Sequence, residues 1–212
     1  MYVACSRRLA QGGAYGPVRV DRVFGHRPLV RKGSILYTAL ARLVRLIPPP
    51  AEFREKDWTS VERALGVELP PDYKELIRTY GGGDWDDYLY VLEPGCPNDN
   101  YDLIEWEGRQ TEALDGLWEF ERKPAELEEE GTRVIPWAGT DNGECLYWLV
   151  RPDQDPAEWT VMINEARGDH WEHYATTCTQ FLADALDGTL TSDILSSCFP
   201  LSTHRFYRLQ PV

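Results

Sequence analysis

The chain has 212 residues, 42% of them hydrophobic, and a formal net charge of −13 at neutral pH. This length suits one domain with a sizeable core. The sequence has no apolar run of about 18 residues and no apolar segment between its N-terminal arginines, so it predicts neither a membrane span nor a secretory signal. We therefore expect a soluble, cytoplasmic protein that does not bind membranes.

Lysine and arginine are concentrated near the N-terminus. Residues 1–47 contain nine Lys/Arg and one acid, whereas the rest of the chain contains 13 Lys/Arg and 34 acids. An acidic body repels nucleic acids and anionic bilayers and attracts a basic partner. The alternative is that the acidity serves only solubility, and composition alone does not separate the two.

Cysteine usage argues against a redox or metal framework. The five cysteines are widely scattered, and none forms a CxxC pair. Neither a disulfide scaffold nor a zinc cluster has the expected spacing. We expect reduced, mostly buried thiols, and we expect no metal and no other cofactor.

Residues 1–34 mix glycine, proline and arginine without helical or strand periodicity, which predicts a basic extension with little fixed structure. Three interpretations compete for it: a nucleic-acid-binding arm, an organellar transit peptide, or a segment absent from the native protein because translation starts downstream. We favour the third interpretation because nothing after Gly33 requires the segment, and we expect no nucleic-acid partner.

Residues 35–50 predict a docking helix followed by a stiff linker. The three prolines at 48–50 end the helix because each fixes φ and removes a backbone donor, so we place a domain boundary near residue 50. We assign residues 51–200 to the main domain and 201–212 to an irregular tail. The helix spans Ile35–Ile47, and its apolar stripe consists of Leu36, Leu40, Leu43, Val44 and Ile47.

Two short amphipathic helices follow. The first begins at Asp57 or at Thr59, which forms a capping-box pattern with Glu62, and it ends at Gly66. The second begins at Pro71, and the glycines after it let the chain reverse before the first strand. Its buried face is predicted to contain Tyr73, Leu76, Ile77 and Tyr80.

The rest of the chain alternates strands with two more helices. Asn142-Gly143 predicts a tight hairpin turn, because both residues accept a positive φ at low cost. The last helix begins at Thr177, with Gln180 as its capping-box partner, and ends at Gly188. A longer helical region at 103–120 is predicted to point Trp106, Ala113, Leu114, Leu117 and Trp118 inward. Strands are predicted at 87–92, 133–139, 144–150, 158–164 and 170–175.

This order of elements predicts an α+β fold, with a single antiparallel-rich sheet and helices packed against it. At this point the sequence resembles the SUKH superfamily, the Smi/Knr-like immunity proteins of bacterial toxin systems. The resemblance covers roughly residues 58–188, apart from a long helical segment at 101–131. The resemblance is specific because eight residues occur together and are followed by the Asp-Asn-Gly hairpin. These residues are Trp58, Gly66, Leu69, Pro70, Tyr73, Tyr80, Gly81 and Gly82.

The resemblance implies binding without catalysis. Members are thought to neutralise a cognate toxin, often a nuclease, by occluding it, so we expect a protein partner that is basic. A regulatory protein-interaction module without a toxin partner is the alternative, as in the yeast relatives that give the family its name. The oligomeric state and the identity of the toxin are left open.

For a binding module, the useful side chains are large and partly exposed beside acids. We predict a contact patch at the entrance to the sheet and in the loop after the first strand, where aromatic anchors would stand inside an acidic rim. The alternative is that Trp85 and Tyr88 simply belong to the core. The predicted contact residues are Trp85, Asp86, Asp87, Tyr88, Asn98, Asp99 and Asn100.

An enzyme is the hypothesis from another class. His170 and His173 suggest a metal-dependent hydrolase, but at i and i+3 of a strand they would point to opposite faces, so we favour ordinary surface histidines. Three acids, Asp84, Asp86 and Asp87, lack the remaining ligands of a calcium loop. The glycines at 81–83 follow a helix and precede a strand, which is the reverse of a phosphate-binding loop. We therefore expect no catalytic residues.

Overall fold

In the computed structural model of the protein, residues 32–51, 55–166 and 168–208 are described, with side chains from residue 38 onward. The predicted basic extension therefore lies almost entirely outside the described residues. The helices are α1 (Lys32–Leu46), α2 (Trp58–Leu65), α3 (Pro71–Tyr80), α4 (Leu103–Leu117) and α5 (Cys178–Leu186). The strands are β1 (Gly83–Trp85), β2 (Leu89–Val91), β3 (Arg133–Thr140), β4 (Cys145–Val150), β5 (Thr160–Asn164), β6 (Trp171–Tyr174) and β7 (Phe206–Arg208).

The seven strands form one sheet in the order β6-β5-β4-β3-β2-β1-β7, and every neighbouring pair is antiparallel. The predicted α+β fold class is confirmed. The hairpin between β3 and β4 also forms at the Asn142-Gly143 turn, where Gly143 has a φ of 101°. Most strands that are neighbours in the sheet are also consecutive along the chain, and helices pack on both faces of the sheet.

Helices α1, α3 and α5 cover one face of the sheet and bury the larger core. The predicted stripe of α3 is confirmed, since Tyr73, Leu76, Ile77 and Tyr80 are all almost fully buried. In α1 the buried residues are Ala39, Leu43 and Ile47, whereas Val44, predicted to lie in the stripe, is 37% exposed. The buried stripe is therefore narrower than predicted and follows the i, i+4, i+8 spacing of Ala39, Leu43 and Ile47.

Helix α4 lies over part of the opposite face. Leu114 packs into a second, smaller core with Tyr147, Leu149 and Met162, which the strands present on that side. Ala113, predicted to lie in the buried face, is exposed instead, where it lines a cleft between α4 and the sheet. The core under α4 leaves room for a groove between the helix and the sheet.

The C-terminal tail, expected to be irregular, contributes a strand to the sheet. β7 pairs with β1 over Gly83–Trp85, and the aromatic ring of Phe206 lies against Gly83. A Cβ on Gly83 would come within 2.2 Å of that ring, so only glycine permits the contact. β1, which the sequence did not predict, therefore exists between β2 and a strand from the far end of the chain.

Candidate functional site

One row of residues across the sheet runs beneath the groove and contributes Tyr90, Cys145 and Asn164 to its lining. Directly paired residues of antiparallel strands point to the same face, so each pairing extends the row by one strand. The row, which we call the floor row, consists of Tyr207, Asp84, Tyr90, Gly139, Cys145 and Asn164. Its strands run from β7 to β5, and α4 crosses above its middle.

The middle of the groove is closed by two aromatic rings that stand over Gly139. The rings of Tyr90 and Trp106 have their centroids 5.7 Å apart in an edge arrangement. A Cβ on Gly139 would lie 2.7 Å from the Tyr90 hydroxyl and 2.9 Å from the Trp106 ring. Gly139 is therefore required for this close approach, which divides the groove into two parts.

The first part, which we call the acidic end, is a cavity of about 420 Å³ beside the start of α4. Trp106 donates its indole N–H to the backbone carbonyl of Asn100, and Arg109 donates to that of Asp99 at 2.5 Å. These bonds hold the 98–100 loop along the rim. The cavity is lined by Tyr90, Asn100, Tyr101, Trp106, Arg109, Gln110, Thr140 and Asp141.

Asp84 stands in the floor row next to this cavity, where its carboxylate is difficult to ionise. Burial first, and then the charge of Asp141, raise the pKa of Asp84 from 3.8 to about 6. The pKa of Tyr101 is also raised, mainly by burial and then by the charges of Asp141 and Asp84. The three groups therefore share one acidic environment that a positive charge would relieve.

The second part, which we call the Phe120 cleft, has a volume of about 900 Å³ and lies between the C-terminal half of α4 and the β3–β4 turn. Tyr147 in the sheet donates its hydroxyl hydrogen to Gln110 of α4 at 2.9 Å, which fixes the distance between the two walls. The apolar wall is formed by Leu114, Leu117 and Phe120 and the polar rim by Asn142 and Gly143, whereas Asn164 is buried in the floor.

The titratable groups of the Phe120 cleft are in their neutral forms near neutral pH. Burial raises the pKa of the Cys145 thiol to about 12, and it raises the pKa of Tyr147 well above its usual value. Cys145 is therefore a thiol rather than a thiolate, and its Sγ lies 3.7 Å from the Ala138 carbonyl oxygen. The arrangement suits the binding of an apolar group more than proton transfer.

Comparison with known proteins identifies the family of the domain that contains this groove. A family model described as "SMI1-KNR4 cell-wall", SUKH_6, matches residues 55–182, which is more than half of the chain. This chain belongs to the SUKH family. Neither curated proteins nor solved structures gave a match. The matched range includes α4 and six of the seven strands, so the groove lies within the SUKH domain.

Three of the contact residues predicted for this SUKH protein are interior. Trp85 is fully buried and Tyr88 is 8% exposed, so the alternative that both belong to the core is confirmed and their predicted exposure is wrong. Asp86 is 3% exposed, because its carboxylate accepts hydrogen bonds from the backbone amides of Leu201 and Arg205. The tail that covers them lies more than 100 residues away in sequence, so local patterns gave no sign of it.

The other predicted contact residues lie at the surface of the SUKH domain. Asp87, Asp99 and Asn100 are exposed and Asn98 is half-buried. Asn100 lines the acidic end, whereas Asp87 lies in the β1–β2 turn and pairs with Arg205 at 3.0 Å. The sequence patterns missed Tyr90 and Asp141 as neighbours of this loop, since only the pairing of β2 with β3 brings them to Tyr101 and Asn100.

His170 and His173 have separate partners in the SUKH domain. His170 Nδ1 lies 3.9 Å from Glu165, whereas His173 Nδ1 lies 3.8 Å from Glu126 and its Nε2 contacts the Thr160 hydroxyl at 2.9 Å. Burial lowers the pKa of His173 despite the nearby Glu126 carboxylate. Among the described residues, no cluster of three His, Cys, Asp or Glu side chains has an arrangement suited to a metal ion.

The same described part of the chain includes no helix with the length and apolar character needed to cross a membrane.

Proposed function

We propose that this SUKH protein is an immunity-type protein that binds a cytoplasmic toxin and neutralises it by covering its functional surface. Family membership is compatible with that role. The toxin is basic, because the chain beyond residue 47 carries 34 acids against 13 Lys/Arg. A nuclease is the class we favour, since proteins that bind phosphate backbones carry basic surfaces. The protein acts by binding, with no catalytic step of its own.

The observation that carries the proposal is the acidic end of the groove. Asp84 and Asp141 lie close enough to raise the pKa of Asp84, and the Tyr90 and Tyr101 rings pack beside them with centroids 5.0 Å apart. A cation placed here would relieve the repulsion between the carboxylates. Tyr101, which is half-buried, supplies contact area with little loss of conformational entropy, and the buried Tyr90 ring supports it from below.

In this proposal, surface charge governs the association rate and buried contact governs the dissociation rate. Acids at the rim speed the encounter with a basic protein, and buried contacts set how long the complex lasts. Asp87, Asn98, Asp99 and Asn100 remain our predicted contact residues. Asn100 lines the acidic end, Asn98 and Asp99 belong to the same loop, and Asp87 lies in the β1–β2 turn near Asp84. The bound toxin loses access to its substrate because the SUKH domain occupies the same surface.

Co-expression of the full chain with the toxin candidate encoded by a neighbouring gene tests this proposal. We expect the wild-type chain to restore growth and to co-purify with the toxin. A variant with Asp87→Lys, Asp99→Lys and Asp141→Lys should bind at least about 10-fold more weakly at low salt, with a smaller difference at high salt.

The control variant carries Glu68→Lys, Asp153→Lys and Asp193→Lys, which make the same change in charge at exposed residues outside the 98–100 loop, the β1–β2 turn and the lining of the groove. Asp153 and Asp87 share a φ of 55°, so the backbone strain is matched as well. Equal weakening by both variants would contradict the acidic end as the contact surface.

Other outcomes distinguish the competing functions. A complex without growth rescue indicates a regulatory interaction module, and the absence of both rescue and complex contradicts immunity. Stoichiometric metal in the purified protein that disappears in His170→Ala and His173→Ala would instead identify a metal-dependent hydrolase.

A further inference from the structure

We infer that the Phe120 cleft is a second contact site for the same partner, and that it takes an apolar side chain from a protruding loop flanked by lysine or arginine. This inference rests on the proposed function, because it names the part of the surface that would hold the toxin in place. The contact would be independent of the acidic end, from which Tyr90 and Trp106 separate it.

The first argument is the exposure of Phe120 at a fixed position. Its side chain is 84% exposed, the largest value among the large apolar side chains in the described part of the chain. Its backbone is not loose, since the Phe120 amide donates to the Leu117 carbonyl at 3.0 Å and the Trp118 ring stacks near Trp171 at 5.9 Å. An exposed aromatic side chain on an ordered backbone is typical of a binding surface.

The second argument is the shape and chemistry of the cleft. Leu114, Leu117 and Tyr147 line it beside Phe120, in a volume of about 900 Å³ that opens to the surface. Such a space admits one or two side chains of a partner loop and removes their apolar surface from water. Cys145 and Tyr147 at the floor are neutral, so the base of the cleft favours an apolar group over a charged one.

The third argument is the charge beside the cleft. Residues 101–131, which include α4, contain 11 acids and three Lys/Arg. Glu105 and Glu112 are exposed and lie seven residues apart in α4, about two helical turns, so they share one side of the helix, and Glu119 is exposed in the turn after it; we call these three residues the acidic stripe. A basic loop that enters the cleft would place its flanking charges against this stripe, whereas an acidic or uncharged loop would gain nothing from it.

The experiment compares two exposed apolar residues on opposite sides of the fold. Phe120→Ser removes the wall of the cleft, and Val44→Ser is the control, since Val44 is 37% exposed on α1. Because Phe120 is largely in water, its substitution should leave the unfolding free energy almost unchanged. The full chain and the co-expressed toxin candidate are purified, and their association and dissociation rates are measured separately.

We expect Phe120→Ser to raise the dissociation rate roughly 10- to 100-fold while the association rate changes less than about threefold. Val44→Ser should change neither rate. Glu105→Lys, Glu112→Lys and Glu119→Lys together should lower the association rate about 10-fold at low salt, and high salt should remove most of that effect.

The outcomes separate this inference from the proposed function. If the wild-type chain rescues growth and Phe120→Ser dissociates at the wild-type rate, the cleft inference is wrong and the immunity proposal stands. If the wild-type chain neither rescues nor binds, both are wrong. Light scattering provides one further check, since a wild-type dimer that Phe120→Ser converts to a monomer would assign the cleft to a second copy of this chain and overturn the inference.

Discussion

The Asp72 carboxylate accepts a hydrogen bond from the backbone amide of Thr179 at 3.0 Å, so the start of α3 caps the start of α5. The contact is reciprocal, because the Thr179 hydroxyl donates to the Asp72 backbone carbonyl at 3.0 Å. Asp72 is 3% exposed and lies 107 residues from its partner. One carboxylate from the first turn of α3 therefore caps the first turn of α5, which ties together two of the three helices over the larger core.

Asp72→Ala should lower the free energy of unfolding by about 1–3 kcal/mol, because it leaves the buried Thr179 amide without an acceptor. Thr177→Ala is the control: Thr177 occupies the N-cap position of α5, but its side chain makes no capping hydrogen bond. Its substitution should cost less than about 0.5 kcal/mol. Urea unfolding measures both values, and a larger loss in Thr177→Ala would restore the capping box that the sequence predicted.

Asp86→Asn should release the C-terminal tail. The Asp86 carboxylate accepts from the amides of Leu201 and Arg205 and contacts His204 Nδ1 at 2.8 Å, and an amide group facing these donors loses at least one acceptor. We expect a loss of about 2–3 kcal/mol and faster proteolysis between residues 199 and 208.

Asp87→Asn is the matched control for the tail. Asp87 adjoins Asp86 with a similar positive φ, 55° against 59°, and asparagine tolerates both. Its pair with Arg205 is half exposed and should contribute less than about 0.5 kcal/mol. Equal proteolysis of the two variants would mean that the Asp86 carboxylate does not hold the tail.

Gly139→Ala should distort the groove, because the new methyl group would overlap the Tyr90 hydroxyl and the Trp106 ring. A loss of about 1–3 kcal/mol is expected, with a change in tryptophan fluorescence as Trp106 moves. Gly108→Ala in α4 should have the opposite sign and stabilise by up to about 1 kcal/mol, since a Cβ there meets nothing within 4 Å. Thermal unfolding of the two variants tests whether one substitution lowers the stability and the other raises it.

Asp84 should make stability depend on pH. Its pKa is raised from 3.8 to about 6 by burial first and by Asp141 next, so the folded state holds an extra proton between these values. The resulting stabilisation is complete below about pH 4 and is lost as pH rises through about 6. Asp84→Asn should therefore increase the free energy of unfolding by roughly 1 kcal/mol near pH 7, after a discount for solvent screening, and should change it little at low pH.

The difference between wild type and Asp84→Asn, measured by urea unfolding from about pH 4.5 to 7.5, isolates this residue from the other carboxylates. Asp99→Asn makes the same chemical change at an exposed rim position and serves as the comparison. If Asp84→Asn raises the free energy of unfolding by the same amount at every pH in this range, Asp84 does not change its protonation state there.

Where a local pattern is sufficient, the sequence predicted the fold well. The face of α3 with Tyr73 and Tyr80, the hairpin at Asn142-Gly143, and the alternation of strands and helices all depend on spacing within a few residues. The family also follows from the sequence, since a conjunction of such short signals defines it. These features need only the periodicity of helices and strands and the backbone preferences of individual residues.

Pro136 shows where local residue preferences do not decide the position of a strand. A proline inside an apolar run usually indicates an edge strand, yet β3 lies near the centre of the sheet. The structure tolerates Pro136 because a register shift follows it at 136–138, and because β2 pairs with β3 only from Ala138 onward. The missing amide hydrogen therefore faces no β2 partner in the ladder.

The sequence alone determined the fold class, the acidic body and the family of this protein. Only the tertiary structure decided that Asp86 and Tyr88 are interior, that β7 completes the sheet and that the floor row joins Asp84 to Tyr90 and Asn164. The physical reason is distance along the chain: burial by the tail and alignment across strands depend on residues tens to more than a hundred positions apart, and no periodicity within a segment records which strand will lie beside it.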